Sequence, residues 1–232
     1  MNHKGVVVGS KGVDFCDLWG NPQTAYFLGL WCADGYHRTS SIGLSNIDES
    51  LIFAFQSFLA GLFPKDRLCL RVYIPKSWNN ANYAKKLAKK AGIKRLSICS
   101  ILKARMPTIH IYVNSRPLLR LFREERENLL EKKRNSESVW AYFAGRFDGD
   151  GSVSKDMRSD CRIVYGNQEE ALRDKELLKI VKIAKTKIYY YKNAKTYCLY
   201  ISRFEAEKFL ENIRAHARSQ KSTSLPSRDL VR

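Results

Sequence analysis

The sequence predicts an α+β protein built from two similar units. The segment AYFLGLWCADG, residues 25–35, returns 116 positions later as AYFAGRFDGDG, residues 141–151, with six of the eleven positions identical. Each copy is followed by short segments with the two-residue alternation typical of β-strands and by longer apolar runs typical of helices. A chain of 232 residues is long enough for two such units. The repeat therefore indicates a duplicated domain.

The charge balance points to a polyanionic partner. Lys and Arg number 41 against 23 Asp and Glu, a formal net charge of +18, which favours nucleic acid over the substrates of a typical metabolic enzyme. No apolar run has the length of about 18 residues that a membrane span needs, and the N-terminal segment lacks a signal-peptide core. The six cysteines form no Cys-x-x-Cys pair, which argues against a zinc site or a disulfide framework. We expect an intracellular protein, in the cytoplasm or nucleoid of a prokaryote rather than in an organelle.

The first half contains helix and strand signals in a clear order. Residues 1–20 have no periodicity and are expected to form an N-terminal extension. Asn21 is a suitable helix cap and Pro22 suits the first helical position, so a helix is predicted to start here and to run through the motif. SSIGLSNID has the pattern of a short strand, and ESLIFAFQSFLAGLF that of an apolar helix ended by Gly61 and Pro64.

Two later segments, RLCLRVYI and TIHIYVN, each have one apolar and one polar face. The apolar faces consist of Leu68, Leu70, Val72 and Ile74, and of Ile109, Ile111 and Val113. The polar faces consist of Arg67, Arg71 and Tyr73, and of Thr108, His110, Tyr112 and Asn114. Between these strands lies a basic, partly helical insertion at about 76–106 that has no counterpart in the second half. Its lysines either bind phosphates or form a solvated helix face; they include Lys85, Lys86, Lys89 and Lys90.

The second half repeats the order of the first. RPLLRLFREERENLLEKKRNSES is predicted to be a helix that runs into a charged linker. It is followed by a helix at 138–149, a hairpin through CRIVYGN, the helix QEEALRDKELLKIVKIA, the strands TKIYYY and TYCLYIS, and the helix RFEAEKFLENIRAHA. The predicted boundaries are 21–123 for the first unit, 124–135 for the linker, 136–218 for the second unit and 219–232 for a basic tail.

Small residues recur four positions apart in each motif copy: Gly29 with Ala33, and Gly145 with Gly149. Such a stripe lets two helices pack with their backbones nearly touching. Pairing across the stripes would bring the helix ends, and with them Asp34 and Asp150, side by side. Two close carboxylates repel each other unless a cation lies between them, and hard oxygen donors suit Mg²⁺. Metals held by two acids can activate water for phosphodiester hydrolysis. For each acid alone, a solvated Asp-Gly turn is the plain alternative.

These segments resemble the LAGLIDADG signature, whose nine places are filled by FLGLWCADG at 27–35 and by FAGRFDGDG at 143–151. From Asn21 to roughly Ala215 the chain is similar to single-chain, two-motif LAGLIDADG homing endonucleases. In that family each unit is αββαββα, the motif helices pair, and the two units form a saddle-shaped pseudo-dimer over the DNA major groove. The resemblance implies this fold, with Asp34 and Asp150 as the catalytic, metal-binding acids. It also implies that the backbone carbonyls of Ala33 and Gly149 are further metal ligands.

Other site residues follow from the resemblance. The family often places a polar residue near the metal-bound water, at the end of the strand before the second helix. Asn46 in SNIDE and Asn167 in GNQEE take that place here as catalytic candidates, with a plain helix cap as the alternative. A basic residue near each scissile phosphate is also usual, and Arg218 and Lys221 are the candidates after the last helix.

Two motif residues depart from the family pattern. Cys32 replaces the first acidic residue of its motif, for which we expect weaker end-capping or cross-interface bonding rather than loss of the metal. Arg146 replaces an aliphatic residue, and it either changes the packing register of the helices or reaches solvent at the rim of their interface.

Basic and aromatic side chains on the predicted strand faces are candidates for contact with a DNA groove, because Arg and Lys read guanine edges and bind phosphates. A solvated sheet face is the alternative for any single residue. The candidates are Arg38, Arg67, Arg71, Lys155, Arg158, Arg162, Lys187, Tyr189 and Tyr191. The histidines His37, His110 and His216 share no ligand spacing, so none is expected to be catalytic.

The resemblance implies a site-specific DNA endonuclease that makes a Mg²⁺-dependent, staggered double-strand break at a long site, with Mn²⁺ or Ca²⁺ able to replace Mg²⁺ in binding. Because the two halves differ, we expect a monomer that prefers an asymmetric target in double-stranded DNA, encoded by a free-standing intron gene. One alternative is a maturase that assists splicing of intron RNA and needs no metal-binding acids. Another is a non-cleaving DNA-binding regulator. Both motif aspartates argue against a pure maturase, and the tail has no helix-turn-helix pattern to support a regulator.

Overall fold

The computed structural model describes residues 21–38, 40–78, 81–102, 104–131, 135–154 and 160–219. Their contacts divide into two compact units. Unit 1 comprises residues 34–124, and unit 2 comprises residues 125–219 together with 21–33. By its contacts the first motif helix therefore belongs to unit 2, except for its last residue. The predicted extension at 1–20 lies outside the described residues, as does the predicted tail apart from Ser219, and the predicted domain boundaries stay predictions.

Unit 1 is built on a five-stranded sheet. Its strands are β1 (Gly35–Arg38), β2 (Ser41–Asn46), β3 (Cys69–Pro75), β4 (Arg95–Ile101) and β5 (Thr108–Asn114); the helices of this half are α1 (Pro22–Asp34), α2 (Glu49–Leu62), α3 (Ala81–Ala91) and α4 (Arg116–Glu127). The strand order is β1-β2-β5-β3-β4, with β3 and β4 parallel and the other neighbours antiparallel. Helices α2 and α3 pack against this sheet.

The alternation predicted for β3 and β5 is confirmed. Their inward residues are buried, and the intervening polar residues lie on the opposite face, which we call the open face of unit 1. The sequence pattern includes Arg67 in this strand, but the structure starts β3 at Cys69, so Arg67 precedes the strand. It lies in a 3₁₀ turn (Lys65–Arg67) before β3, where it donates to the backbone carbonyl of Asn114 at 3.0 Å and its guanidinium covers the ring of Phe63.

Helix α2 begins at an Asp48 cap, whose side chain accepts a hydrogen bond from the Ser50 N–H. Gly61 was expected to end this helix, but the helix continues through it to Leu62 and then caps at Phe63, before Pro64. An added Cβ at Gly61 would meet nothing within 4 Å, so the glycine has no packing partner that would require it.

The insertion at 76–106 is more ordered than its basic composition predicts. It contains α3 and a seven-residue strand, β4, which pairs in parallel with β3 over its whole length. The sequence pattern missed β4 because RLSICSI carries polar residues on both faces, as is common at a sheet edge. The segment is therefore a helix-and-strand extension of the unit 1 sheet.

Unit 2 has the order expected from the first half. Its elements are α5 (Ser136–Asp150), β6 (Gly151–Val153), β7 (Cys161–Tyr165), α6 (Gln168–Ile180), β8 (Thr186–Tyr191), β9 (Thr196–Ile201) and α7 (Arg203–Arg214). The antiparallel sheet has the order β6-β7-β9-β8, which is the order of unit 1 without its edge strand β4. The predicted αββαββα arrangement and the α+β fold class are confirmed.

Helices α1 and α5 of unit 2 are buried over most of their length. The run from Ala25 to Trp31 is buried on every side of α1, and the run from Ser138 to Asp148 is buried on every side of α5. Such helices have no solvent face, which explains why neither motif shows a clear amphipathic pattern. In the described part of the chain, no helix combines the length and the apolar character of a membrane span.

Candidate functional site

The two motif helices pack with their backbones in direct contact at Gly29 and Gly145. A Cβ added to Gly29 would overlap the carbonyl of Tyr142, and one added to Gly145 would overlap the carbonyl of Tyr26. Only glycine leaves room for this approach. Ala33 and Gly149, the other predicted members of the stripe, are half-buried at the helix ends. The predicted pairing of the motif helices is confirmed, and both helices end on the aspartates that the sequence singled out, Asp34 and Asp150.

Asp34 is held in place by Asn46 at the end of β2. The Asn46 side-chain amide donates to Asp34 Oδ2 at 2.7 Å, while its carbonyl oxygen accepts from the Asp48 N–H, also at 2.7 Å. The second bond fixes which end of the amide faces Asp34, because the oxygen is already occupied by an N–H donor. The half-buried carboxylate of Asp34 is thus oriented by a side chain that is itself oriented by the backbone.

Asn167, which the sequence paired with Asn46, is not its structural equivalent. Asn167 is the N-cap of α6 and accepts from the Glu170 N–H at 2.9 Å. The corresponding cap of α2 is Asp48, two residues beyond Asn46. Since Asp48 caps α2, Asn46 is free to bind Asp34, whereas the side chain of Asn167 is used by its own helix.

Asp150 ends α5 at a closely packed turn. The Gly151 N–H donates to the Phe147 carbonyl, and an added Cβ at Gly151 would overlap the ring and the carbonyl of Phe147. The glycine of the Asp-Gly pair is therefore needed for the helix to end directly after Asp150. Half-buried Asp150 corresponds to Asp34 in the first motif: each is the last residue of its helix and directly precedes a glycine at the start of a strand.

Asp148, the first acid of the second motif, has a structural role that sequence analysis did not assign. It is buried, and it accepts a hydrogen bond from the Tyr26 hydroxyl on α1 at 2.7 Å. It also accepts from the backbone N–H groups of Arg218 and Ser219, at 2.7 and 3.1 Å. One carboxylate therefore joins both motif helices to the segment after α7.

Arg218, a candidate for contact with the scissile phosphate, packs against aromatic side chains of α1. Its guanidinium lies 5.0 Å from the ring centre of Tyr26 and 4.9 Å from that of Phe27. These cation–π contacts and the backbone bond to Asp148 account for its position. Its catalytic role stays a prediction, and Lys221 lies outside the described residues.

Arg146 does not reach solvent, so the interpretation that it lies at the interface rim is wrong. Its side chain is 1% exposed and lies over the ring of Tyr165 at 4.4 Å. Its Nε lies 3.4 Å from Asp174 Oδ2, an ion pair without hydrogen-bond geometry, and one terminal nitrogen lies 3.8 Å from Glu170. Burial alone would lower the pKa of Arg146, but Tyr142, Tyr165 and Asp174 together raise it, so the guanidinium stays charged.

Asp174 on α6 accepts the hydrogen bond from the tyrosine hydroxyl of the second motif, because the first motif has Cys32 in place of an aspartate. Tyr26 and Tyr142 occupy the same place in the two motifs, but only Tyr26 finds a motif acid, Asp148, to accept its hydroxyl. The residue that matches Asp148 in the first motif is Cys32, and Tyr142 instead donates to buried Asp174 at 2.9 Å. Burial raises the pKa of the Cys32 thiol to about 12, so this position carries no charge at neutral pH. The cross-interface bond expected to weaken at Cys32 is replaced from another helix.

The open face of unit 1 carries an aromatic and basic cluster. The ring of His110 lies 5.0 Å from that of Tyr36 and 4.7 Å from that of Tyr73, and the guanidinium of Arg71 lies 5.6 Å from the ring of Tyr112. Burial lowers the pKa of His110 to about 4, with Arg71 and Arg38 adding to the shift. His110 is therefore neutral at pH 7, and its Nε2 shares a 2.8 Å hydrogen bond with the Ser45 hydroxyl.

The sheet of unit 2 presents a similar face. Strand register places four of the predicted DNA-contact residues on the same side of the sheet, opposite buried Ile163, Leu199 and Ile201. They are Arg162, Lys187, Tyr189 and Tyr191. Buried Asp160, to which no sequence pattern points, accepts hydrogen bonds from Arg162 at 3.0 and 3.2 Å. Burial by itself would raise the pKa of Asp160, but the bonds from Arg162 outweigh it and hold the pKa below its usual value. Lys155 and Arg158 lie outside the described residues.

Each motif helix ends on an aspartate, whose carboxylate oxygens are donors of the kind that divalent cations such as Mg²⁺ take. No group of three or more His, Cys, Asp and Glu side chains within the described ranges is arranged to hold a metal ion. Mg²⁺ commonly takes one or two carboxylates from the protein and completes its shell with waters and phosphate oxygens. Carbonyls at helix C-termini add negative potential at the same positions.

Comparisons with known proteins agree with this geometry. The family model of the LAGLIDADG-like domain matches residues 137–214, from α5 to α7. Among solved structures, I-DmoI in complex with DNA and Ca has a TM-score of 0.53 at 16% identity, covering 88% of this chain and 96% of that chain. A variant of I-DmoI with its target DNA and Mn has a TM-score of 0.52 at 18% identity, covering 88% and 98%.

Mesophilic variants of the homing endonuclease I-DmoI have a TM-score of 0.50 at 17% identity, covering 83% of this chain and 94% of that chain. At such identities the similarity shows the fold. No curated protein is similar enough to the chain to count as a match. The resemblance to the LAGLIDADG family, drawn from two nine-residue segments, is confirmed.

Proposed function

We propose that the protein is a site-specific DNA endonuclease that makes a metal-dependent, staggered double-strand break at a long asymmetric site. The observation that carries the proposal is the pair of buried, glycine-packed motif helices, each of which ends on an aspartate. A helix that served only the core would not need an acidic residue at this position in both copies. The second observation is the hydrogen bond by which Asn46 orients Asp34.

Asp34 and Asp150 would hold the metal, with the backbone carbonyls of Ala33 and Gly149 as further oxygen donors. A bound divalent cation supplies an activated water and stabilises the leaving oxygen of the phosphodiester. Structures of I-DmoI with DNA have been solved with Mn, Mg or Ca, which supports Mg²⁺ as the working ion and the other two as substitutes in binding. In this chain Asn46 keeps the Asp34 carboxylate in one orientation, and Asp148 keeps α5 joined to α1.

The open face of unit 1 and the face of the unit 2 sheet that carries Arg162, Lys187, Tyr189 and Tyr191 would contact double-stranded DNA. Each presents arginine and tyrosine side chains, and the chain as a whole carries a formal charge of +18. Guanidinium groups held beside aromatic rings, such as Arg71 beside Tyr112, are already desolvated in part and lose little freedom on binding. Because the two faces differ in sequence and in strand number, one chain acting as a monomer would read an asymmetric target.

The first experiment is a cleavage selection. Wild-type protein and the double variant Asp34→Asn/Asp150→Asn are each incubated with a genomic or randomised duplex library and Mg²⁺, and the cut ends are sequenced. We expect recurrent staggered ends at one asymmetric sequence with the wild type, and at least a 10³-fold lower yield with the double variant, because loss of a metal removes several kcal/mol of transition-state stabilisation. Binding of the selected duplex should persist in the variant.

Specific binding without cutting by the wild type would contradict the proposal and indicate a DNA-binding regulator. If a folded protein neither binds nor cuts any duplex specifically, and library coverage is adequate, intron RNA becomes the substrate to test. Cutting that survives in the double variant would show that the two aspartates are not the metal-binding acids. Chelation with EDTA, which should abolish cleavage by the wild type, tests the metal separately from the residues.

A further inference from the structure

The sheet of unit 1 carries a strand that the sheet of unit 2 lacks. Between β3 and β5 the chain forms α3 and then β4, which adds a parallel edge strand to the sheet. At the corresponding place in unit 2, residues 192–195 form only a short turn between β8 and β9. The extra strand changes the width of one open face and not of the other.

Helix α3 holds β4 from the helical side of the sheet. Its buried residues are Ala84, Leu87, Ala88 and Ala91, which pack toward β3 and β4. The side chain of Gln56 on α2 donates to the Ala91 carbonyl at 2.8 Å, and Tyr83 donates to Glu49 at 3.1 Å. Since α3 lies beside α2, it leaves the open face of the sheet uncovered.

The lysines of α3 consequently lie on the side of the sheet away from the open face. Lys90 pairs with Glu49 at 3.2 Å and lies 4.5 Å from the ring centre of Phe53 on α2. This position favours a solvated helix face over a role in phosphate binding for these side chains. The part of the insertion that faces the same way as the proposed DNA-binding residues is β4, not the basic helix.

The register of β4 extends the open face without a break. Arg95 pairs with Cys69, Ser97 with Arg71, and Cys99 with Tyr73. Paired residues of neighbouring strands point to the same side, so these three side chains continue the face that carries Arg71 and Tyr73. Arg95 and Ser97 are exposed. The strand residues on this face include no Asp or Glu, which makes it complementary to a polyanion.

We propose that β4 is a fifth DNA-contacting strand and that it lengthens the duplex segment bound by unit 1, an inference that rests on the proposed function. Its occupant is the duplex flanking the central part of the target. One more strand widens the face by about 4.8 Å, which corresponds to roughly one to two base pairs at a rise of about 3.4 Å. The bound site is thereby longer on the side of unit 1.

Ser97 and Ser100 provide a matched pair of variants. Both are exposed residues of β4, but Ser97 lies on the open face beside Arg71, whereas Ser100 pairs with buried Ile74 and lies on the opposite face. Ser97→Glu and Ser100→Glu change the net charge equally. We expect Ser97→Glu to weaken binding of the duplex found by cleavage selection about tenfold or more, because it places a carboxylate against phosphates, and Ser100→Glu to change it less than twofold.

Truncation of the duplex identifies which end β4 contacts. The selected duplex is shortened from each end one base pair at a time, and binding is measured for the wild type and both variants in the presence of Ca²⁺. At one end only, loss of the outermost base pairs should weaken binding by the wild type and by Ser100→Glu but not further weaken binding by Ser97→Glu. Thermal melting of the three proteins verifies that they are equally folded.

Equal binding by the two variants would overturn the inference while leaving the proposed function intact. A concentration-dependent dimer that Ser97→Glu abolishes, with DNA binding unchanged, would also overturn it and show that β4 pairs with a second copy of the chain. If the wild type binds no duplex from the library, the proposed function itself fails, and the inference fails with it. These outcomes are distinguishable because the first two require a wild type that binds DNA.

Discussion

At the residue scale, the two asparagines before α2 and α6 show how one local pattern serves two purposes. Both occur in similar pentapeptides, yet Asn46 binds the Asp34 carboxylate and Asn167 caps its helix. The difference arises because Asp48 supplies the cap of α2. The bonds made by Asn46 are those of a residue that positions an acid, and the bond made by Asn167 is that of a helix cap.

Alanine at these two positions should therefore have different effects. We expect Asn46→Ala to lower single-turnover cleavage roughly 10- to 100-fold, as is usual when a group that orients a metal ligand is removed. Asn167→Ala should keep most of its activity and lose about 1 kcal/mol of stability, the usual cost of a lost N-cap. Cleavage rates and urea unfolding of both variants test this. An equal loss of cleavage in both would contradict this expectation and support the predicted catalytic role of Asn167.

Also at the residue scale, the Arg146–Asp174 pair carries charge into the core of unit 2. Both side chains are almost fully buried, and Asp174 additionally accepts from the hydroxyls of Tyr142 and Tyr165. Burial raises the pKa of Asp174, and the nearby Arg146 opposes that rise. Each charge is tolerated because the other is present.

Asp174→Asn should destabilise the protein by about 3–5 kcal/mol, because it removes the nearer counter-charge of the buried Arg146 guanidinium and leaves only Glu170, at 3.8 Å. Adding Arg146→Leu, which restores the residue found at the same place in the first motif, should recover part of the loss. Urea unfolding of both single variants and the double variant gives the coupling energy. The exposed Lys179–Glu176 pair is the control, since Glu176→Gln should cost less than about 1 kcal/mol. Strictly additive losses at Arg146 and Asp174 would argue against the pairing.

At the element scale, the glycines of α1 and α5 are required by helix packing, whereas Gly61 of α2 is not. Gly29 and Gly145 each touch the backbone of the other helix, whereas Gly61 in α2 has open space around its Cα. A methyl group at the first two positions must push two helices apart. At Gly61 the same methyl group only reduces the freedom of the unfolded chain.

We expect Gly29→Ala and Gly145→Ala each to lower stability by about 1–3 kcal/mol, the usual cost of overpacking. Both should also reduce cleavage, because the aspartates end the displaced helices. Gly61→Ala should raise stability by about 0.5–1 kcal/mol with no change in cleavage. Thermal unfolding and cleavage rates of the three variants make the comparison. Tolerance of alanine at Gly29 would mean that the helices are not in backbone contact.

At the scale of the whole molecule, the formal charge of +18 should govern affinity for DNA. Neutralising about 8 phosphates predicts a log–log slope of affinity against salt near −7. Fluorescence anisotropy with the selected duplex, across a series of salt concentrations, measures this slope. The same series with an unrelated duplex should give a similar slope at lower affinity, because the phosphate term does not depend on sequence. A slope near zero would show that the basic surface does not engage DNA.

The sequence by itself determined the fold class, the two-unit arrangement and the position of the candidate acids. These features can be predicted because helix and strand periodicity is a local property of the sequence, and because small residues four positions apart occur in both copies of the motif. The polar and apolar faces of β3 and β5, the start of α1 at Pro22 and the small-residue stripes of α1 and α5 all follow from residues close together in the chain.

The tertiary structure alone decided what depends on distant partners. Arg146 is buried because Asp174, on another helix, supplies its counter-charge. β4 is a strand because β3 offers it an edge, although its own residues alternate poorly. Asn46 faces Asp34 because β2 pairs antiparallel with β1 and so leads the chain back to the end of α1. In each case the deciding free energy comes from a contact between elements, which no window along the sequence contains.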